Sequence, residues 1–299
     1  MKKKLLLLVN PYAGQQRIRS ELVYVIDELT RADYEIVTAT TQGSLKTGQL
    51  LKDYDSQFEK VVCCGGDGTF NAVLEGTLSW KKKPVLGYIP AGTTNDFAAG
   101  IQLPTDITEA VDTIINGSER QFDAGLFNDR HFSYIASFGA FTETSYSTPQ
   151  TIKNDLGHLA YILEGIKEIP LITTYHITLR TGDETYQGEF VFGAVSNAKS
   201  IGGIVKMDDS AVDLSDGLLE VVMVRMPKSL QDLGKIITSL NTRVFDNDMF
   251  LFLQTDSLSI HTEQALVWSL DGERAEGGTD VVIRCLPRAF SIMTRKEVS

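Results

Sequence analysis

The stretch CCGGDGTFNAVLEG, residues 63–76, joins an apolar run to a segment of helical spacing through Gly65, Gly66, Asp67, Gly68 and Thr69. Phe70, Val73, Leu74 and Leu78 fall on one face of the predicted helix. A strand-to-helix turn so rich in glycine lets backbone N–H groups close on an anion, aided by the positive helix N-terminus. Two phosphate signatures are excluded. No lysine follows the glycines as a P-loop requires, and Asn71 stands where the dinucleotide fingerprint needs glycine. A bare carboxylate repels phosphate, so Asp67 points to a metal ion or a hydroxyl proton. The plainer alternative is a glycine turn in which Asp67 or Thr69 caps the helix.

Working outward, the first third alternates strands and helices. Strands are predicted at 5–9, 34–39, 61–64 and 85–89. Helices are predicted at 18–29, 44–54, 70–78 and 107–115. The continuous apolar run at 5–9 is that of a strand covered on both faces. This order predicts a doubly wound α/β domain with a mostly parallel sheet. Ligands of such domains bind beyond the carboxyl ends of strands. Asn10, Pro11, Tyr12, Ala13 and Gly14 follow the first strand, the Thr40–Thr41 pair the second, and the block from Pro90 to Ala98 the fourth. Taken singly, each is also an ordinary turn.

Near residue 120 the pattern changes. Strands are predicted at 121–127, 132–138, 173–180, 185–195, 218–225, 249–255, 257–261, 265–270 and 280–285. Helical interruptions are predicted near 155–169 and 229–240. Turn pairs such as Asp271–Gly272 lie among the strands. The expectation is an antiparallel β-sandwich over 123–287 after an α/β domain over 1–122, with 288–299 free to return to the first domain.

A length of 299 residues suits two compact domains, and 42% apolar with 22% charged residues is ordinary for a globular chain. A net charge of −11 argues against a broad nucleic-acid surface. Three cysteines, two of them adjacent in an apolar run, do not form a disulfide framework, so a reducing cytoplasm is expected. The apolar core at 5–9 is shorter than the ~7 residues of a secretory leader. No run reaches the ~18 apolar residues of a membrane span. The scattered histidines show no zinc spacing, and no Gly-x-Ser-x-Gly elbow is present. Trp80 beside Lys81, Lys82 and Lys83 reads either as a bilayer contact or as a packed tryptophan beside a solvated loop.

The chain resembles bacterial lipid kinases with a diacylglycerol-kinase catalytic domain, related to sphingosine kinases and more distantly to NAD kinases. The resemblance rests on residues 10–14, 65–71, 90–98, 216–220 and 271–273. It implies an ATP site lined by Asn10, Pro11, Tyr12, Ala13, Gly14, Thr41, Gly66, Asp67, Gly68, Thr69, Phe70, Asn71, Thr93, Asn95 and Asp96. Asp67 would lie near the phosphates and a catalytic Mg²⁺. Asp213, Asp216 and the Leu218 carbonyl match a second Mg²⁺ site, and Glu273 matches the general base. The sequence departs from the family at Ala72, Ala99 and 202–204. The implied activity is phosphorylation of a membrane lipid, first diacylglycerol to phosphatidic acid. A kinase for a soluble acceptor such as NAD, or a nucleotide-binding regulatory protein, are the alternatives. The implied setting is cytoplasmic, with transient contact at the inner face of the membrane, no nucleic-acid partner and a possible homodimer.

Overall fold

The computed structural model describes residues 2–14, 17–139, 173–198, 200–201, 205–206, 213–242 and 244–296. The helix expected at 155–169 and the departure at 202–204 lie outside them. The chain divides into two compact units, Met1–Ala124 with Pro287–Ser299, and Gly125–Leu286.

In the first unit the order is β1 (Lys3–Val9), α1 (Arg17–Arg31), β2 (Tyr34–Thr40), α2 (Ser44–Asp53), β3 (Lys60–Gly65), α3 (Asp67–Leu78), β4 (Val85–Pro90), α4 (Asp96–Gly100) and α5 (Ile107–Asn116). The strands run β2-β1-β3-β4, each pairing parallel to its neighbour. The end of the last strand, β15, extends the row, with Ser291 and Ile292 parallel to Val85 and Leu86. Every residue of β3 is buried, and so are Leu5 to Val9 of β1. Leu5, Leu7, Val9, Val62, Cys64 and Ile89 pack with apolar residues of α1 and α5. Alternate residues therefore face away from that cluster, which is why the runs Leu5–Val9 and Val61–Cys64 are apolar throughout. Helices α2 and α3 pack on each other. Trp80 is buried and donates to the Leu51 carbonyl at 2.9 Å, so it is a packed tryptophan.

The boundary between units falls within β5 (Ser118–Phe127) and β15 (Glu273–Thr294). In the second unit follow β6 (Arg130–Phe132), β7 (Ile135–Gly139), β8 (Tyr175–Thr181), β9 (Glu184–Ser196), the short pair β10 (Ser200–Ile201) and β11 (Val205–Lys206), β12 (Leu219–Arg225), α6 (Leu230–Thr242), β13 (Phe250–Thr255) and β14 (Ser257–Leu270). Pairings here are antiparallel. They run β13-β12-β9, and then β7 and β8 each bridge β9 to β14. Strand β12 serves two cores. Leu219, Val221 and Met223 join the cluster around Phe138 and Trp268, while Val222 and Val224 meet Leu233, Ile236 and Leu240 of α6.

Three strand expectations need correction. The run at 132–138 is two strands, because the amides of Ser133 and Tyr134 turn aside to a carboxylate. The runs at 257–261 and 265–270 are one strand, with register shifts between His261 and Val267 that let it bend without breaking. The last strand is far longer than 280–285, since β15 begins at Glu273.

Candidate functional site

Strands β1, β3 and β4 are neighbours, so the loops at their carboxyl ends meet. Their backbones are tied directly. The Asn10 amide donates to the Cys64 carbonyl, and the Ala91 amide to the Gly65 carbonyl, both at 2.8 Å. The Thr41 amide reaches the Val9 carbonyl at 2.9 Å. Asn10 then works in two directions: its Nδ2 donates to Thr69 Oγ1 at 2.9 Å, and its Oδ1 accepts the Tyr12 amide at 3.0 Å.

Glycines set how closely these loops approach. A Cβ on Gly14, whose φ is +51°, would lie 2.4 Å from the Ala91 carbonyl oxygen. One on Gly92 would lie 2.5 Å from the Gly66 Cα. Only residues without a side chain fit at such a crossing.

Asp67 clamps two of the loops. Its Oδ2 accepts the Asp96 amide at 3.0 Å and its Oδ1 accepts the Phe97 amide at 3.2 Å. Burial pushes this carboxyl up, and the two amides pull it back. Asp67 therefore caps α4, across the loops. Helix α3 starts at Asp67 after Gly66, an N-cap residue with no side chain to offer, while the Asp67 carboxylate reaches across to α4. Asn95, in the left-handed region, closes its own loop: Oδ1 accepts the Gly92 amide at 2.9 Å and Nδ2 donates to the Gly92 carbonyl at 3.0 Å.

The other expected nucleotide residues divide by exposure. Tyr12 is exposed, with the Arg19 guanidinium over its ring at 5.6 Å, and Thr93 is exposed. Pro11, Gly66, Gly68, Thr69 and Asp96 are half-buried, while Ala13 and Thr41 are buried. Phe70 is fully buried and stacks on Tyr88 at 4.8 Å and Phe97 at 4.4 Å. Its side chain is therefore core, and only its backbone is left for a ligand. Asn71 is buried with Oδ1 unpartnered, a polar atom without an internal use. Ala72 is buried and Ala99 is exposed.

In the second unit, Asp213 and Asp216 each close a local turn. Asp213 Oδ1 accepts from the Ser215 amide and hydroxyl, and Asp216 Oδ1 accepts the Leu218 amide. Nearby Glu220 is 1% exposed with Oε2 unpartnered. Burial pushes its carboxyl up to about 7, and the Asp216 charge adds to the rise. Among the described residues, no three acidic, histidine or cysteine side chains gather closely enough to hold a metal alone. Mg²⁺ commonly takes one or two carboxylates and fills its shell with carbonyls and water, and the expected set of two aspartates with the Leu218 carbonyl has that chemistry.

Glu273 opens β15, and its carboxylate lies 3.7 Å from Arg130 Nη2. The Asp271–Gly272 pair before it makes a hairpin turn, as expected of a turn pair, but Asp271 is 8% exposed. Its carboxylate accepts from the amides of Ser133, Tyr134 and Ile135 and from the Ser133 hydroxyl at 2.7–2.9 Å. Burial pushes the carboxyl up to about 6 and these donors oppose the rise. Sequence reasoning missed Arg130 and Ser133, whose partners lie well over a hundred residues away with no local signal.

Comparison with known proteins follows the same division. Residues 4–127 match the diacylglycerol kinase catalytic domain. Residues 139–294 match the YegS C-terminal NAD kinase beta sandwich-like domain. The chain is 30% identical over 273 residues to the diacylglycerol kinase of Bacillus subtilis, covering 91% of this chain and 90% of that one. It is 33% identical over 239 residues to the diacylglycerol kinase of Staphylococcus saprophyticus, covering 80% and 78%. The crystal structure of a diacylglycerol kinase from Bacillus anthracis superposes with a TM-score of 0.75 at 22% identity, covering 98% of this chain and 97% of that one, a likeness of fold. With the catalytic domain and the sandwich-like domain both matched in order, the chain belongs to the diacylglycerol kinase family.

Proposed function

We propose that this kinase transfers the terminal phosphate of ATP, with Mg²⁺, to a free hydroxyl of a membrane lipid, with diacylglycerol as first substrate and phosphatidic acid as product. One observation carries the reading: Asp67 bridges the loops beyond β3 and β4 through two backbone amides, inside a stretch that matches the catalytic domain. The parallel pairings, with α1 packed on α5 and α2 on α3, support a doubly wound nucleotide fold.

Phosphoryl transfer needs positioning and charge neutralisation more than covalent help. The interlocked loops at Asn10, Gly14, Gly66, Thr69 and Gly92 would hold the nucleotide in one place, with their amides and the α3 N-terminus toward its phosphates. Thr41, Gly68, Thr93 and the Asn71 side chain would complete the contacts. Asp67 keeps a second lone pair on each oxygen, and with Asp96 would hold the catalytic Mg²⁺. When bound, Mg²⁺ supplies neutralisation of charge that builds on the transferring phosphate. Asp213, Asp216 and the Leu218 carbonyl would hold a second Mg²⁺ that orders their loop. Glu273 would take the acceptor hydroxyl proton, a role worth ~10²–10⁴-fold.

Among the described residues no helix is long and apolar enough to cross a membrane. The lipid would thus be met by transient peripheral contact, and a homodimer is part of the same reading. The likeness of residues 139–294 to an NAD kinase sandwich-like domain favours one rival, a soluble acceptor. Radiolabelled ATP and Mg²⁺ offered with diacylglycerol vesicles, or with NAD, separates the two. Label in extracted lipid, lost in Asp67→Ala and Glu273→Ala, is the expected result. Label in NAD alone refutes the lipid reading, and undiminished turnover in both variants refutes the site.

A further inference from the structure

We propose that residues 130–135 form a clamp that positions Glu273, gripping its hairpin through Asp271 and its carboxylate through Arg130. The proposal rests on the reading above, in which Glu273 takes the acceptor proton.

Leu270 pairs with Glu273 across a two-residue turn, with φ of 48° at Asp271 and 86° at Gly272. That geometry needs residues tolerant of positive φ, and Asp-Gly supplies them. It does not need a buried carboxylate. Polar side chains at hairpin tips ordinarily face water. Here Asp271 accepts four hydrogen bonds from Ser133, Tyr134 and Ile135, and its own amide donates to the Ile135 carbonyl at 2.9 Å. Charge-assisted bonds of this number fix the turn on the start of β7. The cost is visible: the strand from Phe132 to Phe138 is interrupted so that these amides can point at Asp271.

The other grip is at the near end of the same segment. Arg130 Nη1 donates to the Arg274 carbonyl at 3.2 Å, while Nη2 stands 3.7 Å from Glu273 Oε2. A guanidinium tied to the backbone beside Glu273 limits where the carboxylate can swing. The Glu273 side chain is still 40% exposed, so a hydroxyl can reach it. An ion pair this exposed adds little stability. Its consequence is orientation, and orientation is separable from stability by experiment.

Turnover is measured with ATP, Mg²⁺ and diacylglycerol vesicles for the wild type, R130K, R130Q, E273Q and the double variant R130Q/E273Q. The clamp predicts that R130Q lowers kcat ~10-fold, a modest share of what misplacing a catalytic group can cost. KM for ATP and the melting temperature stay unchanged, and R130K recovers part of the loss. The double variant is no slower than E273Q, because Arg130 acts through Glu273. Multiplied losses in the double variant, or full activity in R130Q, overturn the proposal. Two readouts need no substrate. Carbodiimide amidation of Glu273, mapped by peptide mass spectrometry, should quicken severalfold in R130Q. Hydrogen exchange at the Tyr134 and Ile135 amides should quicken in D271N. Unchanged rates in both overturn the clamp. A wild type that labels no lipid sinks the kinase reading while these two readouts still judge the clamp.

Discussion

Gly92→Ala is the sharpest perturbation of the interlocked loops. A Cβ there would lie 2.5 Å from the Gly66 Cα and 2.7 Å from Asn95 Oδ1. Carbon atoms settle at ~3.5–4.0 Å, so the two loops must part by ~1 Å. Neither obstacle yields easily. Gly66 is backbone leading into α3, and Asn95 Oδ1 holds the Gly92 amide at 2.9 Å. Overpacking of this kind costs ~1–3 kcal/mol. At ~2–4 °C per kcal/mol for a domain of ordinary size, the first unit should melt ~2–12 °C lower. The functional loss should be larger, because a ~1 Å error at a site that works by positioning costs up to ~10²-fold. Differential scanning calorimetry reads the first effect, and ATP titration with steady-state turnover reads the second. Gly66→Ala is an internal gauge. Its Cβ would lie 3.1 Å from the Gly92 Cα, a lesser overlap, so its losses should be smaller. Native melting and full nucleotide affinity in Gly92→Ala would show that the loops are free to separate, and the positional account of the site would fall.

Three further outcomes follow from particular residues. Gly234 lies exposed within α6 with nothing within 4 Å of an added Cβ, so Gly234→Ala should stabilise the second unit by ~0.5–1 kcal/mol in urea unfolding; a loss contradicts the packing described. Glu220 has a folded pKa raised from 4.5 to about 7, so the fold favours its protonated form. Its stabilising contribution is therefore present below pH 4.5 and lost as pH rises through 7, a change of about 3 kcal/mol at ~1.4 kcal/mol per tenfold in proton affinity. In chelator-treated protein Glu220→Gln should flatten that slope and unfold later than wild type at pH 8, and an unchanged slope refutes the burial argument. Cys63, Cys64 and Cys285 are buried and in no disulfide, and burial pushes the first two thiols far up. Iodoacetamide at pH 8 should leave the native chain unlabelled and modify all three after denaturation; prompt native labelling of Cys63 or Cys64 would place β3 at the surface.

What the sequence made legible, and what it hid, divides by the range of the forces involved. The continuous apolar runs of β1 and β3 announce strands covered on both faces, because each successive residue meets one covering layer or the other. Local turn chemistry is equally open to reading: Asp271–Gly272 is a hairpin pair, and the structure puts both residues at positive φ. Long-range capture is not legible. The residues at 132–138 have every local reason to form one strand, yet Asp271 takes three of their amides from across 136–138 positions of chain. The same logic explains Asp67. Its place in a glycine turn suggests a cap for the helix it begins, and its carboxylate instead caps α4 from 29 and 30 positions away.

In both places the aspartate of an Asp-Gly pair holds a remote segment through its carboxylate, but only Asp271–Gly272 also supplies the positive φ of a turn, since Asp67 and Gly68 open α3. A turn needs only the glycine and a tolerant neighbour, so an aspartate whose carboxylate is buried at that neighbour has a second employment. That distinction gives a test in the protein itself. Asparagine at 271 tolerates the same positive φ and keeps the turn, but it offers one acceptor oxygen where the carboxylate offers two, and its amide would face N–H donors. If Asp271 served the turn alone, Asp271→Asn would be nearly silent. With four donors to satisfy, the variant should lose ~1–3 kcal/mol for each donor left bare in the interior. Urea unfolding of the second unit decides between them, and a silent substitution returns Asp271 to the ranks of ordinary turn residues.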